Sequence, residues 1–231
     1  MSQFCIRIES QEQGHVFTNT AGIFHHFEGA LLTGRGVEPV FDVIEKKVGE
    51  KDLKGFDAIA DSLGSICYES LFEFVHDTFD FPGNITFDQF LEFAWNQEGN
   101  DFMKLSVFVV GYSEKNQAMS LAACLSYPGQ GGVKPFQVRG ITEPGFIFFT
   151  HMPTVERYTE DLGRAPESKE EMLECLGRVY AHERQQMDPK SPYCQLMLGQ
   201  GQVVCTSIFK DGSTSKETFG PLAIDQTPVA G

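Results

Sequence analysis

Basic residues are scarce in this chain. Its 231 residues carry 18 Lys and Arg against 32 Asp and Glu, a formal charge of −14. Binding a polyanion by counterion release needs the opposite balance, so no nucleic acid and no membrane surface is expected as a main partner. No apolar run approaches the ~18 residues of a membrane span. The opening MSQFCIRIESQE lacks a charged-then-apolar leader, which predicts no export and a cytoplasmic location. A CxxC pair is also missing. The cysteines Cys5, Cys67, Cys124, Cys175, Cys194 and Cys205 each lie in or beside an apolar segment, which predicts buried free thiols rather than metal ligands. Tryptophan occurs once but phenylalanine 21 times, so aromatic burial rests on phenyl rings. A chain this long buries roughly 70–75% of its unfolded surface as one globule. With no repeat or linker in it, the expectation is a single domain over 1–231, with 221–231 as a C-terminal tail.

The stretch from Leu105 to Thr150 organises the rest. LSVFVVGYS is rich in β-branched and aromatic residues and ends at Ser113-Glu114-Lys115-Asn116; MSLAACLSY follows at once, so the pair reads as a β-hairpin. FQVRGI and GFIFFT add two more predicted strands. Phe108, Val109 and Val110 are consecutive and apolar, which suits a strand covered on both faces. At the N-terminus, Phe4, Ile6 and Ile8 alternate with Cys5, Arg7 and Glu9, a half-buried strand, and HVFTNTAG reads as its antiparallel partner. FEGALLTGR is expected as a third strand. The charged segment from Phe41 to Asp52 is compatible with a short helix or a loop.

Helical spacing is clearest from Phe56 to Asp77, where Ile59, Leu63, Ile66, Cys67, Leu71, Phe74 and Val75 form one stripe. Thr86 with Gln89 is a capping box opening a second helix through ITFDQFLEFAWNQ, and Ser168 with Glu171 opens another over about Lys169 to Met187. The polar run THMPTVERYTEDLGRAPESKEE between them reads as loop with a helical turn. QVVCTSIF and STSKETF flank the turn Lys210-Asp211-Gly212-Ser213 as closing strands. Strands, helices, strands, helices, strands in blocks exclude a doubly wound sheet. Two antiparallel sheets stacked face to face with helices outside each, a four-layer αββα sandwich of α+β class, satisfies the order.

Metal and cofactor motifs are weak. His25 and His26 are adjacent, so a strand sends them to opposite faces, and no third ligand has suitable spacing. GNITFDQFLEF imitates half of a calcium loop, but Thr78 and Gln89 stand where the leading Asp and the bidentate Glu belong. Gly129-Gln130-Gly131-Gly132 lacks the lysine of a phosphate loop. His182-Glu183 has Gln186 where a second zinc histidine would stand. No metal and no cofactor is expected.

The co-linear set MSQFC, FTNTAG, FVVGYSE, AHERQQMDPKSP and QVVCTSIFKDG resembles the N-terminal-nucleophile (Ntn) hydrolases, specifically proteasome-type subunits of the bacterial Anbu kind. The resemblance spans nearly the whole chain in element order, through short and individually unspecific motifs. It implies the αββα fold, a homo-oligomeric ring or stacked assembly, and a peptide substrate. It also implies that Ser2, exposed by removal of Met1, is a catalytic nucleophile activated by its own α-amine, whose reference pKa of ~8 lets it accept a proton near neutrality. The other reading of Ser2 is a common small second residue. Asn19 stands where the family has an acidic residue and Arg35 lies where a lysine belongs; no lysine precedes Lys46. Asparagine supplies no negative charge, and arginine is a poor proton shuttle. Asp188 and Ser191 match a D-x-x-S pattern whose groups bond the N-terminal amine; equally, Asp-Pro and Ser-Pro are turn formers. Two readings follow: a peptidase or amidase using Ser2, or a catalytically inactive subunit acting as a structural or interaction protein.

Overall fold

The structure is a computed structural model that describes residues 4–19, 24–79, 85–95, 104–128, 133–149, 152–186 and 202–220. Strands β1 (Phe4–Ile8), β2 (Gln13–Asn19), β3 (Phe24–Phe27) and β4 (Ala30–Arg35) come first, followed by helices α1 (Glu38–Glu50), α2 (Gly55–Thr78) and α3 (Phe87–Trp95). Strands β5 (Ser106–Ser113), β6 (Ala118–Leu125), β7 (Arg139–Ile141) and β8 (Gly145–Phe149) precede α4 (Met152–Leu162) and α5 (Lys169–Gln186); β9 (Val203–Phe209) and β10 (Thr214–Phe219) close the fold. Every pairing is antiparallel. The first sheet has the order β10-β9-β2-β1-β8 and the second β3-β4-β5-β6-β7.

Alternation along the strands divides the core into three. Phe4, Ile6, Ile8 and Val16 of the first sheet meet Leu31, Phe108, Val110 and Leu121 of the second between the sheets. The other face of the second sheet, through Leu32, Val107, Val109 and Cys124, packs on Phe41, Ile44, Ile59 and Leu63 of α1 and α2. Cys5, Phe17, Val203 and Cys205 pack outward on Val155 and Tyr158 of α4 and Met172, Leu176 and Val179 of α5. The result is the four-layer αββα sandwich.

Two glycines let helices α1 and α2 pack on the second sheet. An added Cβ at Gly34 would lie 2.2 Å from the Ser106 carbonyl oxygen and 2.6 Å from Phe41 Cζ. At Gly111 it would lie 2.6 Å from the Gly29 carbonyl oxygen and 2.8 Å from Phe56 Cβ. Helices α1 and α2 thus sit directly on backbone. The β5–β6 turn is pinned to α2 by Asp57: Ser113 Oγ donates to its carboxylate at 2.7 Å and the Lys115 N–H at 3.2 Å, while Lys115 Nζ reaches Asp61 at 2.5 Å.

The capping boxes form as the sequence predicts. The Thr86 N–H donates to Gln89 Oε1 at 2.9 Å and the Gln89 N–H to Thr86 Oγ1 at 3.3 Å. At α5 the Glu171 N–H donates to Ser168 Oγ at 3.1 Å, and the Ser168 and Glu167 N–H groups donate to Glu171 Oε2. The five cysteines among the described residues, Cys5, Cys67, Cys124, Cys175 and Cys205, are buried and free.

Four local expectations are corrected. FEGALLTGR is not one strand: the chain reverses at Glu28-Gly29, where Gly29 takes a φ of 75°, so β3 and β4 form a hairpin. The segment 41–52 resolves as a helix that starts earlier, at Glu38, with Pro39 in its first turn and Val40, Phe41, Ile44 and Val48 inward. The polar run after Thr150 carries a full helix, α4, because Val155, Tyr158 and Leu162 recur at helical spacing among charged residues. FQVRGI shrinks to the three residues of β7, because Phe136 instead turns back with its N–H on the Leu125 carbonyl at 2.6 Å.

Gly34→Ala is predicted to destabilise the fold by about 3 kcal/mol or more, since the new methyl meets backbone and a buried ring. Gly49→Ala, on α1 with nothing within 4 Å of the added Cβ, is predicted to stabilise by about 0.5 kcal/mol. Urea midpoints of the two variants check both. A second prediction concerns acid. Hydrogen bonds from Arg164, Glu167 and Ser168 hold the Glu171 carboxyl down at about 2. A carboxyl held low when folded contributes stability above its unfolded value near 4.5, and that contribution is lost as pH falls toward 2. Melting temperature across that window is expected to fall more steeply in the wild type than in Glu171→Gln.

Candidate functional site

Two contacts between the sheets show which strand ends lie together. The Phe4 ring packs on Phe108 with centroids 5.5 Å apart, and at the other end of the strands the Met119 N–H donates to the Gln11 carbonyl at 2.8 Å. The start of β1, the end of β2, the end of β4, the start of β5 and the end of β6 therefore share one end of the sandwich. Asn19 and Arg35 both belong to it: Asn19 closes β2 opposite Val203, and Arg35 closes β4 opposite Ser106. Ser2, Asp188 and Ser191 lie outside the described residues.

Sequence reasoning missed the polar residues that build this end. Thr18 pairs with Phe4 and Thr33 with Phe108, so the two threonines flank the inter-sheet aromatic contact. Thr33 is fully buried and Thr18 is 5% exposed. Ser106, also buried, lies beside Arg35, and its hydroxyl is 3.0 Å from the Tyr127 hydroxyl. A sequence signal existed, because Thr18 and Thr33 occupy the same alternation phase as Val16 and Leu31, which face the other sheet. Next to Arg35 in β4, position 34 has no room for any side chain. Positions 33 and 35 share the phase of Leu31 and hold a threonine and an arginine.

Beside Tyr127 a cleft of about 1000 Å³ opens between α2, α3 and the segment after β6, with Tyr68, Trp95, Phe136 and Lys104 among its walls. Tyr127 is the side chain common to the cleft and the sandwich end.

Elsewhere the chemistry is structural. His15 Nδ1 is 2.8 Å from Ser207 Oγ, and its Nε2 is hydrogen-bonded to the Glu9 carboxylate, the partners of a serine–histidine–acid relay. Ser207 is 3% exposed and lies inside β9 with His15 directly across in β2, so no substrate carbonyl reaches its hydroxyl. The trio instead ties the β1–β2 turn to β9, and the His15 hydrogen bond holds Glu9 below its usual range. Burial raises the Cys5 thiol well above its ordinary value and pushes Cys175 to about 12 and Cys205 to about 11. Thiols in that state are poor nucleophiles. His25 pairs with Glu45 at 2.9 Å and stacks on Phe41, with 4° between the planes. Among the described residues no three His, Cys, Asp or Glu side chains converge as metal ligands, and no helix is long and apolar enough to cross a membrane.

No protein-family model and no curated protein sequence matches the chain. Solved structures do. Anbu (ancestral beta-subunit) from Yersinia bercovieri superimposes with a TM-score of 0.53 at 9% identity, covering 93% of this chain and 86% of that one. The Anbu (Gly-1) mutant from Hyphomicrobium sp. strain MC1 gives 0.52 at 7% identity, covering 97% and 89%. The helical assembly of the Anbu complex from Pseudomonas aeruginosa gives 0.53 at 12% identity, covering 94% and 85%. At such identities the likeness is one of fold, and the fold is that of the proteasome-related, Ntn-hydrolase-like Anbu subunits.

Proposed function

We propose that this chain is a proteasome-like, cytoplasmic subunit of a homo-oligomer that hydrolyses peptide or amide bonds with Ser2, exposed by removal of Met1, as its nucleophile. The observation that carries this reading is the convergence of the β1 start, the β2 end and the β4 end at one end of the sandwich, with Phe4 seated on Phe108 between Thr18 and Thr33. Oligomerisation draws support from the helical assembly described for the Pseudomonas aeruginosa Anbu complex.

In this reading the Ser2 α-amine takes the proton from Ser2 Oγ as the oxygen attacks the substrate carbonyl. The leaving amine takes that proton as the C–N bond breaks, which leaves an ester on Oγ. Water then gives a proton to the same amine as its oxygen attacks the ester carbonyl, and the amine passes that proton to Oγ as the C–Oγ bond breaks, which releases the acid and restores Ser2. Asp188 and Ser191 orient the amine by hydrogen bonds. Arg35 contributes fixed positive charge that favours the developing oxyanion, without relaying protons.

A second reading has its own observation. Asn19 replaces the acidic residue, and β4 offers Thr33, a Gly34 with no space for a side chain, and Arg35, so no lysine stands there. That pattern favours a subunit that keeps fold and assembly without turnover.

Intact mass before and after incubation with a β-lactone separates the two. Loss of Met1 and a single adduct absent from Ser2→Ala are expected for the nucleophile. A retained Met1, or a free Ser2 that takes no adduct, leaves the structural subunit. If Ser2 reacts slowly for want of the family's charges, Asn19→Asp with Arg35→Lys is expected to raise the labelling rate about tenfold or more, measured as adduct formation against time.

A further inference from the structure

Exposed phenylalanines occur on and beside α2 and α3, in the helix layer that covers the second sheet. Among the described residues, Phe72 on α2 (41%), Phe79 just beyond it (39%) and Phe93 on α3 (64%) are large apolar side chains open to solvent within 22 residues of sequence, and Ile141 (40%) is another elsewhere. Phe72 and Phe93 are linked by a run of rings: Phe72 lies edge-on to Phe87 at 5.2 Å, Phe87 is near-parallel to Phe90 at 6.5 Å, and Phe93 follows Phe90 one turn along the same helix face. Beside Phe72 a groove of about 320 Å³ is lined by Tyr68, Glu69, Glu73, His76, Asp77 and Lys47. Phe87 is buried, so Phe72, Phe93 and the partly buried Phe90 are the rings of this ridge that meet water, and an exposed aromatic ridge is the usual mark of an interaction surface.

The charge around the ridge selects its occupant. Glu69, Glu73, Asp77 and Asp88 stand against Lys47 and Lys51. Lys47 bonds Glu73 at 2.9 Å and Lys51 reaches Glu69 at 3.5 Å, so the rim keeps a surplus of carboxylates. A second copy docked on this face by a two-fold axis brings the same acidic rim on a chain of net charge −14, and like charges placed face to face oppose that symmetric contact. We infer that this face docks a basic amphipathic helix of a partner protein, its apolar side chains laid along Phe72, Phe90 and Phe93 and its lysines or arginines on Asp77 and Asp88, the rim carboxylates that Lys47 and Lys51 do not hold.

The test uses the full chain and two synthetic helices of about 18 residues, one built of Leu and Lys and one of Leu and Glu in the same amphipathic pattern. Binding is followed by fluorescence anisotropy, and the protein alone by sedimentation velocity. The basic helix is expected to bind saturably with micromolar affinity, more weakly as salt rises, and the acidic helix not to bind. Phe72→Ser with Phe93→Ser leaves every charge in place and is expected to weaken the basic helix about tenfold or more. Phe93→Ser alone, at the more exposed position, gives the same direction at smaller amplitude and guards against misfolding of the double variant. Equal binding by wild type and variants reduces the effect to bulk charge and overturns the proposal, as does failure of the basic helix to bind or equal binding of the acidic one. Loss of self-association in the variants assigns the face to a second copy and overturns it too.

Discussion

Burial of β5 on both faces is the constraint from which the rest of the architecture follows. All eight residues from Ser106 to Ser113 are buried. Phe108, Val110 and Tyr112 need an apolar cover on one side, and Val107 and Val109 need one on the other. A single sheet with one wet face leaves half of these in water, at roughly 1.5–3 kcal/mol for each large side chain. The first sheet satisfies one side and helices α1 and α2 the other. The helices reach it only because Gly34 and Gly111 leave backbone exposed to them. Asp57 then fixes the far end by accepting from Ser113 and Lys115. This carboxylate therefore serves as a clamp between helix and hairpin, beyond the helix-dipole role its place in the first turn suggests.

The layer order was legible because it depends on periodicity and on the run Phe108-Val109-Val110, both of which are local patterns with one physical cause. Both capping boxes were legible for the same reason, since Thr86–Gln89 and Ser168–Glu171 are closed within four residues. What failed was also local, but sparse. α4 buries Val155 and Tyr158 among charged neighbours, so its apolar stripe is too thin to outweigh a polar composition. The β3–β4 turn rests on one residue, Gly29, inside an otherwise strand-like run.

The candidate site was less legible, because the part described is assembled from strand ends that meet only in three dimensions. Asn19 and Arg35 were found through the resemblance and do belong to the same end of the sandwich. Thr18, Thr33 and Ser106 were not, since a buried threonine or serine in a strand looks like any β-former until the opposing sheet supplies Phe4 beside Phe108. The converse holds for His15, Ser207 and Glu9. Their types suggest a hydrolytic relay, and their distances fit one, yet burial inside the sheet makes them a tie between strands.

Packing also limits the chemistry available at the end of β4. A β4 side chain faces the inter-sheet space only in the phase of Leu31 and Thr33. Gly34 has the opposite phase, and its neighbours Ser106 and Phe41 occupy the space a Cβ needs, so the helix layer itself forbids a cation there. Thr33 is held in the buried row beside Phe108, where a charged head would be desolvated at a cost of several kcal/mol. Arg35, at the strand's end and only partly buried, is the one β4 position from 33 to 35 that tolerates a permanent charge. The frame that gives the chain its fold thus leaves β4 a fixed cation at this end of the sandwich in place of a proton carrier. In the proposed mechanism the Ser2 amine is the general base, which makes its protonation state the quantity on which activity would depend.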